Sequence, residues 1–423
     1  MKNKFNIYKQ GSWSIISRIL TSIISFIAIS ILLQILGPNQ YGIWITISGF
    51  FASLSFVDLG LANGLRNALP KFEDDRVKSN NLIIQTFVLT IIIALIFSIL
   101  FEVFSISNFF IDYLKLKEEI VGLENIVSIL FYLFIINICV KPAHAIIQAE
   151  HKSHLVSFLI LFIQFLCLLC YFILEKIKVE NSLYIIVLIF SITSVLIQLI
   201  FCLYVLFSRV KNLSNISFNI LEGTDLIKSG FLFFITAFTY LIFFQIVNII
   251  IIQNLGSSSV SEFNIYSKLF FAVNQIAVAG LLPIWSAFAS ANESNNSIWK
   301  KNIFLKIEKS FLIVMGVLFI TFISGKLIFL IWLGNEVYTY SYILGALFSI
   351  LSILIVVNTT YSYILNGLSK LKLQLILNCM FIILLFSTNY FNMISSLTNL
   401  LIFLIFSFTC SNFLLRKKIK INL

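Results

Sequence analysis

Long apolar runs, interrupted by short polar segments, follow one another along almost the whole chain. Runs of roughly 20 apolar residues predict membrane-spanning helices, because a helix satisfies its own backbone polar groups in hydrocarbon. A transmembrane β-barrel would show short alternating segments instead. The pattern predicts an all-α polytopic membrane protein with about twelve transmembrane helices. The predicted spans lie near residues 13–36, 41–62, 82–107, 123–146, 154–174, 183–207, 229–253, 263–289, 309–333, 340–364, 371–388 and 395–415.

The composition supports a lipid environment. Of the 423 residues, 60% are hydrophobic and 11% are charged, and the mean hydropathy is +1.02. A soluble domain of this size could not cover so much apolar surface with polar residues. All six cysteines lie inside apolar runs, so a disulfide framework is not expected. The sequence implies no cofactor and no metal site.

The basic residues predict the orientation in the membrane. With the N-terminus in the cytoplasm, 22 of the 29 Lys and Arg fall in cytoplasmic segments, four on the opposite side and three within spans. Basic residues collect in cytoplasmic loops, so this asymmetry predicts that both termini are cytoplasmic. The net charge of +11 would suggest nucleic acid as the partner of a soluble protein. Here membrane topology accounts for it, and no nucleic-acid partner is expected.

The chain is predicted to consist of two halves of six spans each. Residues 208–228 form the longest non-helical cytoplasmic stretch, which separates an N-terminal bundle, 1–207, from a C-terminal bundle, 229–423. An even number of spans per half gives both halves the same orientation, as in parallel repeats. A short echo fits this division: Gln34-Ile-Leu-Gly37 ends the first span and Gln253-Asn-Leu-Gly256 ends the seventh.

Arg18 lies about two turns into the first span. Charges within a bilayer usually face a cavity, a partner or an interface. Ser14, Ser22 and Ser25 share its helical side. Arg18 could face a water-filled lumen and bind a phosphate through two hydrogen bonds. Alternatively, its guanidinium could snorkel to the inner headgroups.

The fourth span carries a polar face. Asn137, Lys141, His144 and Gln148 follow one another at helical spacing, and Pro142 lies among them. This face could line the lumen. Alternatively, the span could end near residue 140, which would place the face at the membrane surface.

Lys268 lies in the eighth span, with Asn264 and Gln275 on the same side of the helix. Gln245 and Asn248 lie in the neighbouring seventh span. Several polar groups around one cation suggest a hydrated path. Lys268 could also lie only two turns from the outer surface, where snorkelling is possible.

Asp58 is an acidic residue near the cytoplasmic end of the second span. A buried carboxylate has a raised pKa unless it is paired, so Asp58 is a candidate for coupling to an ion. It could also be a hydrogen-bonded packing residue or a partner of Arg66. Asn358 and other polar residues of the tenth and eleventh spans are expected to hold helices together rather than to carry chemistry.

Three segments resemble a known family. Asp58-Leu-Gly60 through Asn63-Gly-Leu-Arg66-Asn resembles the end of the second helix in the Wzx-type O-antigen flippases. Leu-Leu-Pro283-Ile-Trp285, continued to Trp299, resembles that family's eighth helix and following loop, and Trp332-Leu-Gly334 also fits. Ala62 stands where the family often has glycine. The similarity extends over nearly the whole chain.

The resemblance implies the fold of the multidrug/oligosaccharidyl-lipid/polysaccharide exporters, with two six-helix bundles around a central cavity that opens alternately to each side. It implies a flippase of the bacterial inner membrane, not an enzyme, for an undecaprenyl-diphosphate-linked O-antigen or similar glycan. The lipid-linked oligosaccharide and membrane lipids are the expected partners, and a glycan polymerase and a chain-length regulator are further candidates. Candidate contacts for the diphosphate or glycan are Arg18, Lys141, Lys268, Arg66, Asn137, Asn264 and Gln275.

Other functions stay open at this point. A drug or cation antiporter of the same fold would favour acidic residues in the lumen, whereas the charges within these spans are mainly basic. A lipid II flippase would be expected to carry two more C-terminal helices. A membrane O-antigen polymerase would be expected to carry a large periplasmic loop, and the largest predicted outer loop is only 108–122.

Overall fold

The computed structural model is helical throughout the part of the chain that it describes. The described residues are 2–54, 60–72, 75–116, 122–150, 152–177, 181–209, 235, 239, 243–281, 284, 288, 297–334, 338–368, 370–390 and 393–422. The predicted linker, 208–228, lies almost entirely outside them.

By its internal contacts the chain divides into two units. The first comprises Met1–Gly37 and Trp44–Phe238, and the second comprises Pro38–Ile43 and Thr239–Leu423. A short turn of helix α1 is therefore grouped with the second unit, although the residues on both sides of it are grouped with the first.

Most of the helices in the first half of the chain are long and apolar. They are α1 (Lys2–Leu54), α2 (Leu61–Ala68), α3 (Arg76–Val103), α4 (Ile106–Leu114), α5 (Leu123–Ala149), α6 (Ser153–Ile177) and α7 (Ser182–Arg209), with a single 3₁₀ turn at Leu69–Phe72. The second half contains α8 (Phe243–Leu255), α9 (Ser257–Leu281), α10 (Ser297–Leu333), α11 (Tyr342–Gly367), α12 (Leu371–Tyr390) and α13 (Leu397–Asn422).

Within the described residues, nine helices are long and apolar enough to span a membrane. Many of their large apolar side chains are exposed, as expected when lipid rather than water surrounds them. Phe207 is 79% exposed, Ile331 77% and Phe406 68%. The chain is thus a multi-pass membrane protein.

The echo between the first and seventh spans has a structural counterpart. Gly37 interrupts α1 with φ +68° and ψ 172°, and Gly256 separates α8 from α9 with φ +85°. Positive φ values are costly for residues with a Cβ, so glycine is the residue suited to both breaks. Each tetrapeptide therefore ends a helical segment at a glycine with positive φ.

The second predicted span, 41–62, differs from the structure at its C-terminal end. Gly60 has φ +80° and is followed by the separate short helix α2. Gly64 still bonds through its N–H to the Gly60 carbonyl, at 2.8 Å. Helix α2 therefore starts at Leu61, inside the predicted span.

An apolar core fills one end of the first unit. Leu65 and Leu69, on α2 and the following 3₁₀ turn, pack with Leu82 of α3, Ala143 of α5 and Val205 of α7. Burying one face of α2 in this way leaves Arg66 exposed on the other.

A buried polar cluster joins α11 to α13 in the second unit. The Asn358 amide donates to Ser411 Oγ at 2.8 Å and to Asn412 Oδ1 at 3.0 Å. Asn412 in turn donates to the Leu354 carbonyl at 2.9 Å. The prediction that Asn358 holds helices together is confirmed.

Substituting Asn358→Leu is expected to lower the free energy of unfolding by about 0.6–2 kcal/mol, the range measured for hydrogen bonds between membrane helices. The measurement is thermal unfolding of the purified protein in detergent. Asn399→Leu is the matched control, because Asn399 is exposed and its side-chain amide donates to Ser395 on the same helix turn rather than to another helix. An equal loss in both variants would contradict the role assigned to Asn358.

Candidate functional site

The candidate contact residues fall into two groups, one in each unit. Arg18, Arg66, Asn137 and Lys141 belong to the first unit, and Asn264, Lys268 and Gln275 belong to the second. Asp58 lies outside the described residues. Arg18 lies on α1, but its side chain is outside the described part of the chain.

In the second unit the structure brings the polar residues of two helices together. The Asn264 amide on α9 donates to Asn248 Oδ1 on α8 at 3.1 Å. It also donates to the Val260 carbonyl at 2.9 Å, which fixes its orientation. Lys268 lies half-buried one turn further along α9. Asn248 and Asn264, which the sequence places in consecutive predicted spans, are therefore in direct contact.

Helix α9 starts earlier than the predicted eighth span. It begins at Ser257 rather than near residue 263, so Lys268 is eleven residues along it, or about 16 Å at 1.5 Å per residue. A hydrated path around Lys268 and snorkelling of its side chain both stay predictions.

A further polar atom in this region is held away from water. Gln245 lies three residues before Asn248 on α8, and its Oε1 atom is buried without a hydrogen-bond donor in the described part of the chain. Buried polar atoms normally have a partner, which can be an ordered water. Gln275 lies two turns beyond Lys268 and is exposed. An ammonium beside oriented amides is suited to binding phosphate, carboxylate or sugar hydroxyl groups.

In the first unit the polar face of α5 is inside the helix rather than beyond its end. The helix continues through Pro142 to Ala149, and Asn137, Lys141, His144 and Gln148 are all half-buried. The His144 ring lies 5.7 Å from the Phe201 ring of α7. The helix itself therefore does not end near residue 140, and both alternatives for this polar face, in the lumen or at the membrane surface, stay predictions.

Two ionic clusters were not predicted from the sequence. Glu308 of α10 accepts hydrogen bonds from Arg416 of α13, at 2.6 and 2.9 Å, and from the Tyr361 hydroxyl of α11, at 3.0 Å. Glu150 accepts from Arg209 and, at 3.1 Å, from Lys152. Both clusters pair residues that are far apart in sequence, which helical spacing cannot reveal.

Comparison with known proteins identifies the family. The model of the polysaccharide biosynthesis protein family matches residues 7–289. The chain belongs to this family. The resemblance noted in the sequence is thereby confirmed.

A curated relative and several solved structures are also similar. The "Putative O-antigen export protein" of Yersinia pseudotuberculosis is 27% identical over 379 residues, covering 84% of this chain and 82% of that protein. An inward-facing multidrug resistance MATE transporter of the MOP superfamily has a TM-score of 0.70 at 14% identity, over 96% of this chain and 98% of that one. A MATE structure in the straight conformation has a TM-score of 0.63 at 15% identity, over 98% and 95%. The fold of this polysaccharide biosynthesis protein is therefore MATE-like.

Proposed function

We propose that this protein is a flippase that moves an undecaprenyl-diphosphate-linked O-antigen or similar glycan repeat unit across the bacterial inner membrane, from the cytoplasmic to the periplasmic leaflet. Membership of the polysaccharide biosynthesis family supports this cargo class. A relative named for O-antigen export and a transporter fold point the same way.

The observation that carries the proposal is the position of Lys268 on α9, one helical turn beyond Asn264, whose amide bonds to Asn248 of α8. Neither a glycan nor a diphosphate can cross hydrocarbon unaided, because its polar groups would lose their hydration. A cation with oriented amides offsets part of this cost for an anionic cargo. Asn137, Lys141, Arg66 and Arg18 would supply further contacts in the first unit, and Asp58 is the proposed ion-coupling residue.

The proposal includes twelve spans with both termini in the cytoplasm. Two spans in α1, one on each side of the kink at Gly37, together with α8 and α9 as the seventh and eighth spans, would complete this count. The division into bundles 1–207 and 229–423 follows from this count. Alternating access would then expose the cargo site to each side in turn.

A drug or cation antiporter of the same fold is the second candidate. Its cargo would favour a carboxylate at the position that Lys268 occupies. The MATE structures are at most 15% identical to this chain, so their likeness concerns the fold alone.

Deleting the gene in its own host is expected to trap intact lipid-linked repeat units on the cytoplasmic leaflet and to remove the surface glycan. Leaflet-resolved analysis of the lipid-linked units, together with surface-glycan staining, measures both. Units that reach the periplasmic leaflet but stay unpolymerised would identify a polymerase instead. An unchanged surface glycan would favour the antiporter.

A further inference from the structure

The start of α10 and the end of α13 meet in a strongly basic part of the second unit. Helix α10 has 37 residues, or about 55 Å at 1.5 Å per residue, which exceeds a hydrocarbon core of roughly 30 Å. Its first part, 297–309, and the last turns of α13, 416–422, together contain eight basic residues and a single acidic residue, Glu308. Six of the basic side chains are exposed and form what we call the basic surface: Lys301, Lys306, Lys309, Arg416, Lys417 and Lys420.

An ion pair fixes the two helix ends to each other. Both carboxylate oxygens of Glu308 on α10 accept hydrogen bonds from the Arg416 guanidinium on α13, at 2.6 and 2.9 Å. The Tyr361 hydroxyl of α11 donates to the same carboxylate at 3.0 Å. Ile419 is fully buried, so the last turns of α13 are packed into the unit rather than extending away from it. The five lysines of the basic surface are therefore held on a fixed support, and these two segments contain no second acid to match them.

The exposed face of each helix changes from apolar to basic towards this end. On α10, Ile313 is 73% exposed, and Lys309 lies one turn before it on the same side. On α13, Phe413 is 68% exposed, and Lys417 follows one turn later. Exposed apolar side chains on membrane helices contact lipid tails. A lysine one turn further along the same face therefore reaches the lipid headgroups, with its alkyl chain against the apolar surface and its ammonium in the polar layer.

We propose that the basic surface is a binding site for the headgroups of anionic phospholipids in the adjacent leaflet. An ammonium offers three donors to the oxygens of a headgroup phosphate, and a positively charged surface next to a membrane helix attracts anionic lipids. Topology explains why basic residues collect on one side of a membrane. It does not require them to share one lipid-facing surface, nor an ion pair that joins the two helices carrying them.

The experiment measures lipid binding to the purified full-length protein in detergent by native mass spectrometry. Phosphatidylglycerol is the anionic probe and phosphatidylethanolamine the zwitterionic one, and wild-type protein should bind the anionic lipid more tightly. Lys309→Gln combined with Lys417→Gln should weaken phosphatidylglycerol binding roughly twentyfold, because each lysine near an anionic headgroup contributes about a factor of five. Binding of phosphatidylethanolamine should stay nearly unchanged, which also shows that the variant is folded.

Two matched double variants complete the test. Lys176→Gln combined with Lys326→Gln also removes two exposed lysines, one from the last turn of α6 and one from the other end of α10. This variant should bind phosphatidylglycerol as the wild type does. Lys309→Arg combined with Lys417→Arg keeps both charges and should retain most of the binding.

Equal affinity of the wild type for the two lipids would overturn the proposal, and so would equal weakening by the two glutamine pairs. Displacement of phosphatidylglycerol by inorganic phosphate would show that the surface recognises phosphate alone, and would overturn the lipid headgroup as its ligand. The assay contains no glycan. Its result is therefore independent of whether gene deletion identifies the protein as a flippase.

Discussion

Exchanging Lys268 for methionine is expected to reduce surface-glycan export by roughly tenfold or more while leaving the protein folded. Hydrogen bonds to charged groups contribute about 1.5–3 kcal/mol, and about 1.4 kcal/mol corresponds to a factor of ten. Methionine keeps most of the side-chain volume but removes the ammonium. The measurement is complementation of the deletion strain, with surface glycan and lipid-linked intermediates determined in the same cells.

The control substitutions separate loss of a cargo contact from loss of a charge in general. Lys326→Met removes an exposed lysine from α10 and should leave export unchanged. Lys268→Arg keeps the positive charge and should retain a substantial part of export. Full export by Lys268→Met, with normal protein levels in the membrane, would show that Lys268 does not contact the cargo.

Helical periodicity and hydropathy predicted the spans because both properties are local. The predicted span 123–146 corresponds to Leu123–Ala149, and 371–388 corresponds to Leu371–Tyr390. The Gly37 and Gly256 breaks were also visible in the sequence, because each ends an apolar run within a repeated tetrapeptide. Lipid imposes long uninterrupted helices, so little tertiary information is needed at this level.

Helix α4 was not predicted, because its contacts come from distant parts of the chain. It lies in a predicted outer loop, yet Phe110 packs against Phe50, with ring centroids 4.7 Å apart. Phe109, one residue earlier, is 69% exposed. Helix α4 has only nine residues and one buried face. A hydrophobic pattern this short, next to longer apolar runs, cannot be distinguished from that of a loop.

The candidate site was predictable where its residues share a helix and unpredictable where they do not. A spacing of four residues places Asn264 and Lys268 on the same side of one helix, which the sequence predicts. The Asn248–Asn264 hydrogen bond, in contrast, requires α8 and α9 to lie side by side. From the sequence, these two helices are known only to be consecutive in the chain. Gly42 and Ser257 approach each other closely although more than two hundred residues separate them in the chain. No local sequence pattern predicts this approach.

Gly345→Ala is expected to destabilise the second unit by about 1–3 kcal/mol, the range for overpacking a closely packed interior. A Cβ at residue 345 would lie 2.0 Å from the hydroxyl oxygen of Tyr340, and one at Gly325 would lie 2.4 Å from Cζ of the same ring. The ring cannot simply move aside. Its hydroxyl donates to the Phe322 carbonyl at 3.0 Å, and its face packs near Tyr266 and Phe329.

Thermal unfolding in detergent, compared with Gly316→Ala, measures the effect. Gly316 faces open space, so its substitution adds a methyl group without a clash and should raise or preserve stability. A double-mutant cycle with Tyr340→Ala then identifies the cause. Tyr340→Ala will itself be destabilising, but adding Gly345→Ala to it should cost almost nothing further, because the clashing ring is gone. A full additional loss in that background would mean that Gly345 is required for some reason other than the Tyr340 ring.

Small residues let membrane helices approach closely. In the second unit, Gly325 of α10 and Gly345 of α11 instead leave space for the Tyr340 ring. This ring packs the segment that connects the two helices against them.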